Sequence, residues 1–179
     1  MLKTENALMI IIDFQEKLVN AVSANKETKT AVKSATAAKI LNIPIIISEQ
    51  YPKGLGKTVE ELFYVVKEDA VFVEKTSFSL LKEDNILEKI QSYGKKQIIL
   101  FGIETHICVL QTAIELKEKG FEVYVIKNAC KSRQESEYLS GLDTMRDNGI
   151  NIVTLEIALF ELLETSKNPK FKEIQALIK

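Results

Sequence analysis

The amino-acid sequence predicts an α/β fold with three layers, in which a doubly wound, mostly parallel six-stranded sheet lies between two layers of helices. Two observations support this prediction. Short apolar runs alternate about six times with longer amphipathic segments. Several of these runs are uniformly hydrophobic, which is typical of strands covered on both faces of a parallel sheet. Because there is no internal repeat or low-complexity linker, residues 1–179 are predicted to form one domain.

Each predicted strand is an apolar, β-branched run that stops at a charge or a turn residue. The first run ends on an acid and an aromatic residue, the third ends before Lys75, and the fourth is stopped by Gly102. The predicted strands cover residues 7–14, 44–48, 71–74, 97–101, 121–126 and 150–155.

The segments between the strands have helical spacing and recognisable ends. Thr58 and Ser132 each begin a capping-box pattern, with a glutamate three residues later. Gly94, Gly120 and Gly149 follow the last turn of three segments, a common position for glycine. The predicted helices are residues 28–41, a short helix from 58, then 84–93, 109–119, 132–148, 159–164 and 169–178.

Composition excludes several classes of protein. Apolar residues make up 46% of the chain and charged residues 27%, which excludes a disordered protein. The formal net charge is −1 at pH 7, so no overall field favours nucleic acid or anionic lipid. Two cysteines do not make a disulfide framework, and no apolar stretch is long enough to span a membrane. We therefore expect a cytoplasmic protein that binds neither nucleic acid nor membrane.

Cys108 lies between the fourth predicted strand and the helix that follows it. The apolar residues Val109, Ala113 and Leu116 indicate one buried face of that helix. Backbone N–H groups at a helix start lack intrahelical partners and the dipole is positive there, so a thiolate should be favoured. The alternative is that Cys108 is a small buried apolar residue, and its position alone does not decide between the two.

Three predicted strands end in side chains capable of chemistry: Asp13, Lys75 and, after a short turn, Cys108. Ligands of such sheets bind outside the carboxyl ends of the strands. An acid, an amine and a thiol suit nucleophilic acyl chemistry, since the acid can move the thiol proton and the ammonium can stabilise the thiolate. In the alternative interpretation Asp13 caps a helix, Lys75 lies on the surface and Cys108 belongs to the core.

Around these three residues the sequence resembles the isochorismatase-like cysteine hydrolases, which have a Rossmann-like fold. The strongest segments are IIIDFQEKL around Asp13, FVEKTSFS around Lys75 and FGIETHICVLQTA around Cys108. Three motifs in the order and spacing of the family are specific, although any one alone would be weak. The segments ISEQYPKGLGKT and IALFELL are most similar to the isochorismatase domain-containing proteins.

The resemblance implies a catalytic triad of Asp13, Lys75 and Cys108, with Cys108 forming a covalent acyl-enzyme. It also implies a cis peptide bond between Ile103 and Glu104, with the backbone N–H groups of Glu104 and Cys108 forming an oxyanion hole. The implied sheet order 3-2-1-4-5-6 separates the strands of Asp13 and Lys75 by roughly 10 Å, since neighbouring strands lie about 4.8 Å apart. A homo-oligomer, a dimer or larger, is implied as well.

The sequence departs from the nicotinamidases of the family. They share an Asp-x-His metal motif after the second strand, whereas residues 48–51 here are SEQY and His106 is the only histidine. A bound metal is therefore not expected, and no cofactor is predicted. His106 precedes Cys108 by two residues, and neighbouring side chains at a helix start point in different directions. A lining or helix-start role is thus favoured over a Cys–His dyad.

Several other residues lie near strand ends, where they could contact a substrate. The candidate substrate-binding residues are Gln15, Glu49, Tyr51, Phe78 and His106, and each could equally be ordinary loop packing. Cys130 has no nearby motif residue and is interpreted as structural. Arg133 is interpreted as a surface residue, with binding of a substrate carboxylate as the alternative.

The sequence thus predicts a hydrolase that cleaves a small amide-like C–N bond or related acyl bond through a Cys108 thioester. The substrate is a small molecule of unassigned identity. The alternative is a non-hydrolytic protein that uses the same pocket for small-molecule binding or thiol redox sensing, because an exposed low-pKa thiol oxidises readily. Nucleotide binding is disfavoured, because no Gly-rich phosphate loop follows the first or fourth strand.

Overall fold

A computed structural model describes all residues, 1–179, and contains one six-stranded sheet. All strand pairs are parallel, and the strand order is β3-β2-β1-β4-β5-β6. This confirms the predicted fold class. The strands are β1 (Ala7–Ile12), β2 (Ile45–Gln50), β3 (Ala70–Lys75), β4 (Gln97–Gly102), β5 (Glu122–Ile126) and β6 (Asn151–Val153).

Nine α-helices flank the sheet, and none of them has both the length and the hydrophobicity to cross a bilayer. Two short helices, α1 and α3, were not predicted from the sequence. The helices are α1 (Glu16–Ala21), α2 (Asn25–Ile40), α3 (Pro52–Leu55), α4 (Glu60–Val66), α5 (Ile86–Ser92), α6 (Leu110–Glu118), α7 (Glu135–Asp147), α8 (Leu155–Leu163) and α9 (Phe171–Ile178).

The start of α8 differs from the prediction. A strand was expected through residue 155 and a helix only from 159, but β6 ends at Val153 and α8 begins at Leu155. The physical reason is the hydroxyl of Thr154, which accepts a hydrogen bond from the N–H of Ile157 and caps the helix.

Both predicted capping boxes are wrong. The N-cap residues of α4 and α7 are Val59 and Gln134, and neither supplies a side-chain hydrogen bond. The hydroxyls of Thr58 and Ser132 bond to other parts of the chain, namely Glu49 and His106. These hydroxyls therefore join loops at the carboxyl edge of the sheet instead of capping helices.

The core is one cluster of 51 buried apolar residues on both sides of the sheet. Strands β1 and β4 are buried along their whole length because they are central, whereas the edge strand β3 alternates between partly buried and exposed residues. Small residues of α2, including Ala31, Ala35 and Ala38, are buried and allow this helix to pack close to the sheet.

The strand order changes direction at β1, which has β2 on one side and β4 on the other. A crevice forms at such a switch point, outside the carboxyl ends of the strands. Gly102 ends β4 with φ 153°, and a Cβ atom at this position would overlap the carbonyl of Ile12 in β1. The two central strands can approach here only because residue 102 has no side chain.

Candidate active site

Asp13 follows β1 directly at the switch point, in a left-handed conformation with φ 52°. Its side chain is fully buried. The carboxylate Oδ1 accepts a hydrogen bond of 2.6 Å from the hydroxyl of Ser48, at the end of the neighbouring strand. The N–H of Asp13 donates to the carbonyl of Ser48 at 3.2 Å. These bonds fix the direction of the carboxylate.

Lys75 ends β3, two strands away, and its side chain is fully buried beside Asp13. The register explains how it crosses that distance. Ile12 pairs with Ser48, but Lys75 pairs with Gln50, which is two residues further along β2. The lysine therefore lies beyond the end of β1, where its long side chain passes over β2.

The ammonium of Lys75 is surrounded by polar atoms. Its Nζ lies 2.7 Å from Oδ2 of Asp13, an ion pair without the alignment of a hydrogen bond. It donates to Gln50 Oε1 at 2.6 Å, to the carbonyls of Ser77 and Phe78 at 3.1 and 3.2 Å, and to Cys108 Sγ at 3.5 Å. The structure thus brings Asp13, Lys75 and Cys108 together in one place.

Cys108 lies in a π-helical turn, Thr105–Val109, that connects β4 to α6. The prediction placed it in the first turn of the α-helix, but α6 begins only at Leu110. Cys108 is buried, with 7% of the residue accessible. Such turns are frequent at functional sites, because the extra residue redirects a side chain.

The expectation of a favoured thiolate is wrong for the unliganded protein. The pKa of the Cys108 thiol is raised to about 12, mainly by burial and next by the negative charge of Asp13, while Lys75 lowers it. Burial also raises the pKa of Asp13, against the opposing charge of Lys75. Loss of hydration outweighs the positive charge nearby. A raised pKa favours the neutral thiol of Cys108, which lies next to the Asp13–Lys75 contact of 2.7 Å.

The turn before Cys108 carries a buried carboxylate. The Ile103–Glu104 peptide bond is cis, and the N–H of Glu104 donates to no acceptor in the protein. The side chain of Glu104 is held by Arg133, whose Nη2 and Nε donate at 2.6 and 3.1 Å. Hydrogen bonds from Arg133 lower the pKa of Glu104. Arg133 is therefore a partner of the turn rather than an isolated surface residue.

Gln15 and Glu49 use their polar atoms within the protein. The amide of Gln15 donates to the carbonyls of Gln50 and Gly56 and accepts from the N–H of Gln50. Glu49 accepts two bonds of 2.8 Å from the N–H and the hydroxyl of Thr58. Both side chains hold the segment 50–58 against the sheet, which favours the loop-packing alternative for them.

Tyr51 and Phe78 both lie next to Lys75, since the N–H of Tyr51 donates to the Lys75 carbonyl and the carbonyl of Phe78 accepts from the Lys75 ammonium. Each has 56% of its surface exposed. Tyr51 lines a cavity of about 230 Å³ together with Lys75, Thr76 and Glu83. The carbonyl of Phe78 bonds to Lys75, so its ring lies on a segment that is fixed next to the ion pair. They remain candidates for substrate contact.

His106 bonds to residues at the start of α7. Its Nδ1 is 2.9 Å from the hydroxyl of Ser132, and its Nε2 is 3.8 Å from a carboxylate oxygen of Glu137. These contacts agree with the helix-start role favoured by the sequence. No three side chains of the His, Cys, Asp and Glu types are placed to hold a metal ion.

Sequence reasoning missed Ser48 and Gln50, which bond to Asp13 and Lys75 respectively. A signal was available, since the run of β2, IIISEQ, turns polar at its carboxyl end. Alternate residues of a strand share a face, so Ser48 and Gln50 point together toward the site, whereas Glu49 points to the other side.

Comparison with known proteins gives consistent matches over nearly the whole chain. Residues 7–157 match the isochorismatase domain. Isochorismatase domain-containing protein 2 of Xenopus laevis is 40% identical over 175 residues, which cover 97% of this chain and 83% of that protein. The matched region includes Asp13, Lys75 and Cys108.

Solved structures agree with the fold. The MAR1 ribonuclease of Caenorhabditis elegans is 35% identical, with a TM-score of 0.93 over 99% of this chain and 91% of its own. The YcaC gene product of Escherichia coli, an octameric hydrolase of unknown specificity, has a TM-score of 0.93 at 24% identity. That match covers 99% of this chain and 88% of the bacterial chain.

Proposed function

The chain belongs to the isochorismatase domain family, a family of hydrolases, and from this premise we propose that it is a cysteine hydrolase acting on a small molecule. The bond cleaved is an amide-like C–N bond or a related acyl bond, and the intermediate is a thioester on Cys108. The observation that carries the proposal is the contact of Lys75 Nζ with both Asp13, at 2.7 Å, and Cys108 Sγ, at 3.5 Å.

In the first half of the proposed reaction, Cys108 attacks the carbonyl carbon of the substrate. As the S–C bond forms, the thiol proton passes to Asp13, whose Oδ2 has no aligned donor and whose pKa is raised by burial. Lys75 remains protonated and stabilises the charge that develops at sulfur. The C–N bond then breaks, and the leaving amine takes the proton from Asp13.

The second half returns the enzyme to its starting state. Water attacks the thioester carbonyl and gives a proton to Asp13, the C–S bond breaks, and the proton returns to sulfur. The high pKa of Cys108, about 12, suits this cycle because the thiol regains its proton readily after each turnover. The nucleophilicity of Cys108 then depends on proton transfer to Asp13 in the substrate complex. It does not depend on a thiolate that is already present in the free enzyme.

Backbone N–H groups of Glu104 and Cys108 are proposed to stabilise the oxyanion of each tetrahedral intermediate. The N–H of Glu104 supports this role because it has no acceptor within the protein. Arg133 fixes the Glu104 side chain from the other side. Loss of one such donor typically lowers the rate by about 10²–10³.

A small substrate is proposed because the reactive side chains are buried and the neighbouring cavity is small. Asp13 and Lys75 are fully buried, and the cavity next to Lys75 has a volume of about 230 Å³. Neither a nucleic acid nor a membrane is proposed as a partner, in keeping with the net charge of −1. We place this chemistry in the cytoplasm, where two unpaired cysteines stay reduced.

The experiment is a screen of small amides and esters with the wild-type protein, Cys108→Ala and Cys108→Ser. We expect turnover by the wild type, loss of turnover in both variants, and an acyl adduct on Cys108 in intact-protein mass spectra. Cys130→Ser is the matched control and should keep its activity. Turnover that survives Cys108→Ala would sink the thioester mechanism.

Two further measurements, peroxide oxidation and RNA cleavage, distinguish the proposed hydrolase from the alternative functions. Mild peroxide should oxidise Cys108 slowly, because the raised pKa leaves little thiolate. Rapid and selective oxidation of Cys108 without turnover of any amide would instead support a redox sensor. RNA is included because the related C. elegans protein is called a ribonuclease. Cleavage of RNA that depends on Cys108 would replace the proposed substrate class.

A further inference from the structure

A second cavity of about 490 Å³ opens at the carboxyl edge of the sheet, beside the segment that follows β5. We call it the basic cavity. Its walls are the first turn of α2, residues 127–133 and the first turn of α7. It shares no lining residue with the cavity beside Lys75, so it is a separate site. Its volume lies in the range of small-molecule pockets.

The lining of the basic cavity is polar and carries an excess of positive charge. Four cationic side chains, Lys26, Lys127, Lys131 and Arg133, face two carboxylates, Glu27 and Glu135. Lys131 is 3.6 Å from Glu27, and Arg133 is paired with Glu104 outside the cavity. Lys26 and Lys127 form no ion pair, so their charges are free to attract an anion.

Two helices begin at this cavity. Helix α2 starts at Asn25 and α7 at Glu135, and neither N-cap residue supplies a side-chain hydrogen bond. The positive ends of both helix dipoles therefore add to the charge of the lysines. Converging helix starts and cationic side chains form the kind of environment in which phosphate groups bind.

The basic cavity is also connected to the turn that precedes Cys108. Lys131 forms a parallel bridge with Ile103, and its carbonyl accepts a 3.0 Å bond from the N–H of Thr105. Arg133 binds Glu104 through Nε and Nη2, which leaves its Nη1 without a partner. A guanidinium can hold a carboxylate with one edge and an anion with another. An anion in the cavity can thus fix Arg133 without breaking its pair with Glu104.

We propose that the basic cavity binds a small phosphate-bearing molecule and that its occupancy tightens the turn of residues 103–105 next to Cys108. Lys26 and Lys127 supply the attraction, and Nη1 of Arg133 supplies a directed hydrogen bond. A phosphate ester is favoured over a single carboxylate because several free donors converge and the volume exceeds that of a bare anion. The site is regulatory, since none of its lining residues forms a side-chain hydrogen bond or ion pair with Cys108 or Lys75.

The test measures pyrophosphate binding to the full chain by calorimetry, so it does not depend on turnover or on the proposed hydrolase function. We expect a single saturable site whose affinity falls with added salt. The double variant Lys26→Gln, Lys127→Gln should weaken binding by about tenfold for each lysine removed. The control Lys119→Gln, Lys172→Gln removes the same charge at exposed positions elsewhere and should bind like the wild type.

Three outcomes would overturn the proposal. The first is no binding at millimolar pyrophosphate, and the second is equal weakening in both double variants, which would show attraction by net charge alone. The third is an RNA oligonucleotide that binds more tightly than pyrophosphate and depends on the same two lysines, which would make the partner a nucleic acid.

Hydrogen exchange tests the connection to the turn. Saturating pyrophosphate should slow amide exchange in residues 103–109 of the wild type, and the Lys26→Gln, Lys127→Gln variant should show no such change. Unchanged exchange in the wild type despite binding would overturn the regulatory part of the proposal.

Discussion

At the scale of single residues, Lys75 links the groups of the candidate site. A buried ammonium is tolerated only where polar atoms replace its hydration. Lys75 finds one carboxylate, one amide oxygen, two carbonyls and a thiol within 3.5 Å. Gln50 makes the shortest of these contacts, at 2.6 Å, and in turn donates to the carbonyl of Thr76. It is therefore a positioning residue for Lys75.

Replacing Gln50 by Leu removes this acceptor, and we expect the ammonium to shift away from Cys108. A hydrogen bond to a charged group is worth roughly 1.5–3 kcal/mol, so the alkylation rate of Cys108 should fall by about 10–100-fold. The rate constant for iodoacetamide is the measurement, since it needs no substrate. Gln91→Leu, on the exposed face of α5, is the matched control. Equal rates in both variants would contradict the positioning role.

The raised pKa of Cys108 gives a pH prediction. With a pKa of about 12, the thiolate fraction increases with pH throughout the neutral range. In a Cys130→Ser background, alkylation should rise about tenfold per pH unit between about pH 7 and pH 9 without levelling off. Lys75→Met should be slower at every pH, because the ammonium is the group that lowers this pKa. A plateau within this range would show that the thiolate is already formed.

At the scale of elements, the connection from β4 to α6 positions Cys108, the proposed nucleophile. Gly102 lets β4 end against the carbonyl of Ile12, the π-helical turn carries Cys108, and α6 anchors the turn through Ala113 and Leu116. The turn is also held from outside, because the N–H of Thr105 bonds to the carbonyl of Lys131 at 3.0 Å. Cys108 is thus fixed by elements on both sides.

Gly102→Ala tests this element. The added Cβ would overlap the Ile12 carbonyl, so we expect a loss of about 1–3 kcal/mol in the unfolding free energy, as for an overpacked core. Gly94→Ala is the comparison, because Gly94 has φ 65° but nothing within 4 Å of a Cβ atom. Gly94→Ala should lower the unfolding free energy by only about 1 kcal/mol, because the added side chain strains the backbone conformation without a steric overlap. Urea unfolding of both variants measures the difference, and equal losses would contradict the steric argument.

At the scale of the whole molecule, the strand order explains why distant segments meet. Asp13 follows β1, Lys75 is the last residue of β3 and Cys108 follows β4 after a turn. The reversal of strand order at β1 opens a crevice between the two halves of the sheet. The carboxyl ends of parallel strands lie on one edge, so polar residues at those ends converge. The match to isochorismatase domain proteins over nearly the full chain confirms the family resemblance of these motifs.

Assembly into a homo-oligomer is a prediction at this scale. Three aromatic side chains, Phe63, Tyr64 and Phe72, are exposed by 37–59% around a groove of about 610 Å³ at the β3 edge. Exposed apolar patches of this kind are typical of contact surfaces. We propose a second copy of this chain as the occupant, so light scattering should give a multiple of 20.2 kDa.

Phe63→Ser with Phe72→Ser should shift the assembly toward smaller species, since the two rings lie 5.8 Å apart and form one patch. Leu139→Ser, at an exposed position of α7, is the control and should leave the mass unchanged. A wild-type mass of one chain would refute the oligomer, and an unchanged mass in the double variant would place the contact elsewhere.

The alternation of strands and helices and the three reactive side chains at strand ends could be predicted from the amino-acid sequence alone. These are local properties, because hydrophobic periodicity and residue type are decided by neighbours along the chain. For the same reason the pattern placed Asp13, Lys75 and Cys108 near one edge of the sheet, and the resemblance supplied the strand order. Single-residue roles such as those of Gln15 and Glu49 stayed open.

The geometry of the candidate site follows from tertiary packing. The register between β2 and β3 lets Lys75 reach Asp13, and burial leaves Cys108 a neutral thiol against the local helix-start argument. The hydroxyls of Thr58 and Ser132 find partners across the fold instead of capping their own helices. In each case a polar side chain loses water on folding, and its new partners come from distant parts of the chain. Those partners are set by three-dimensional packing and cannot be read from neighbouring residues in the sequence.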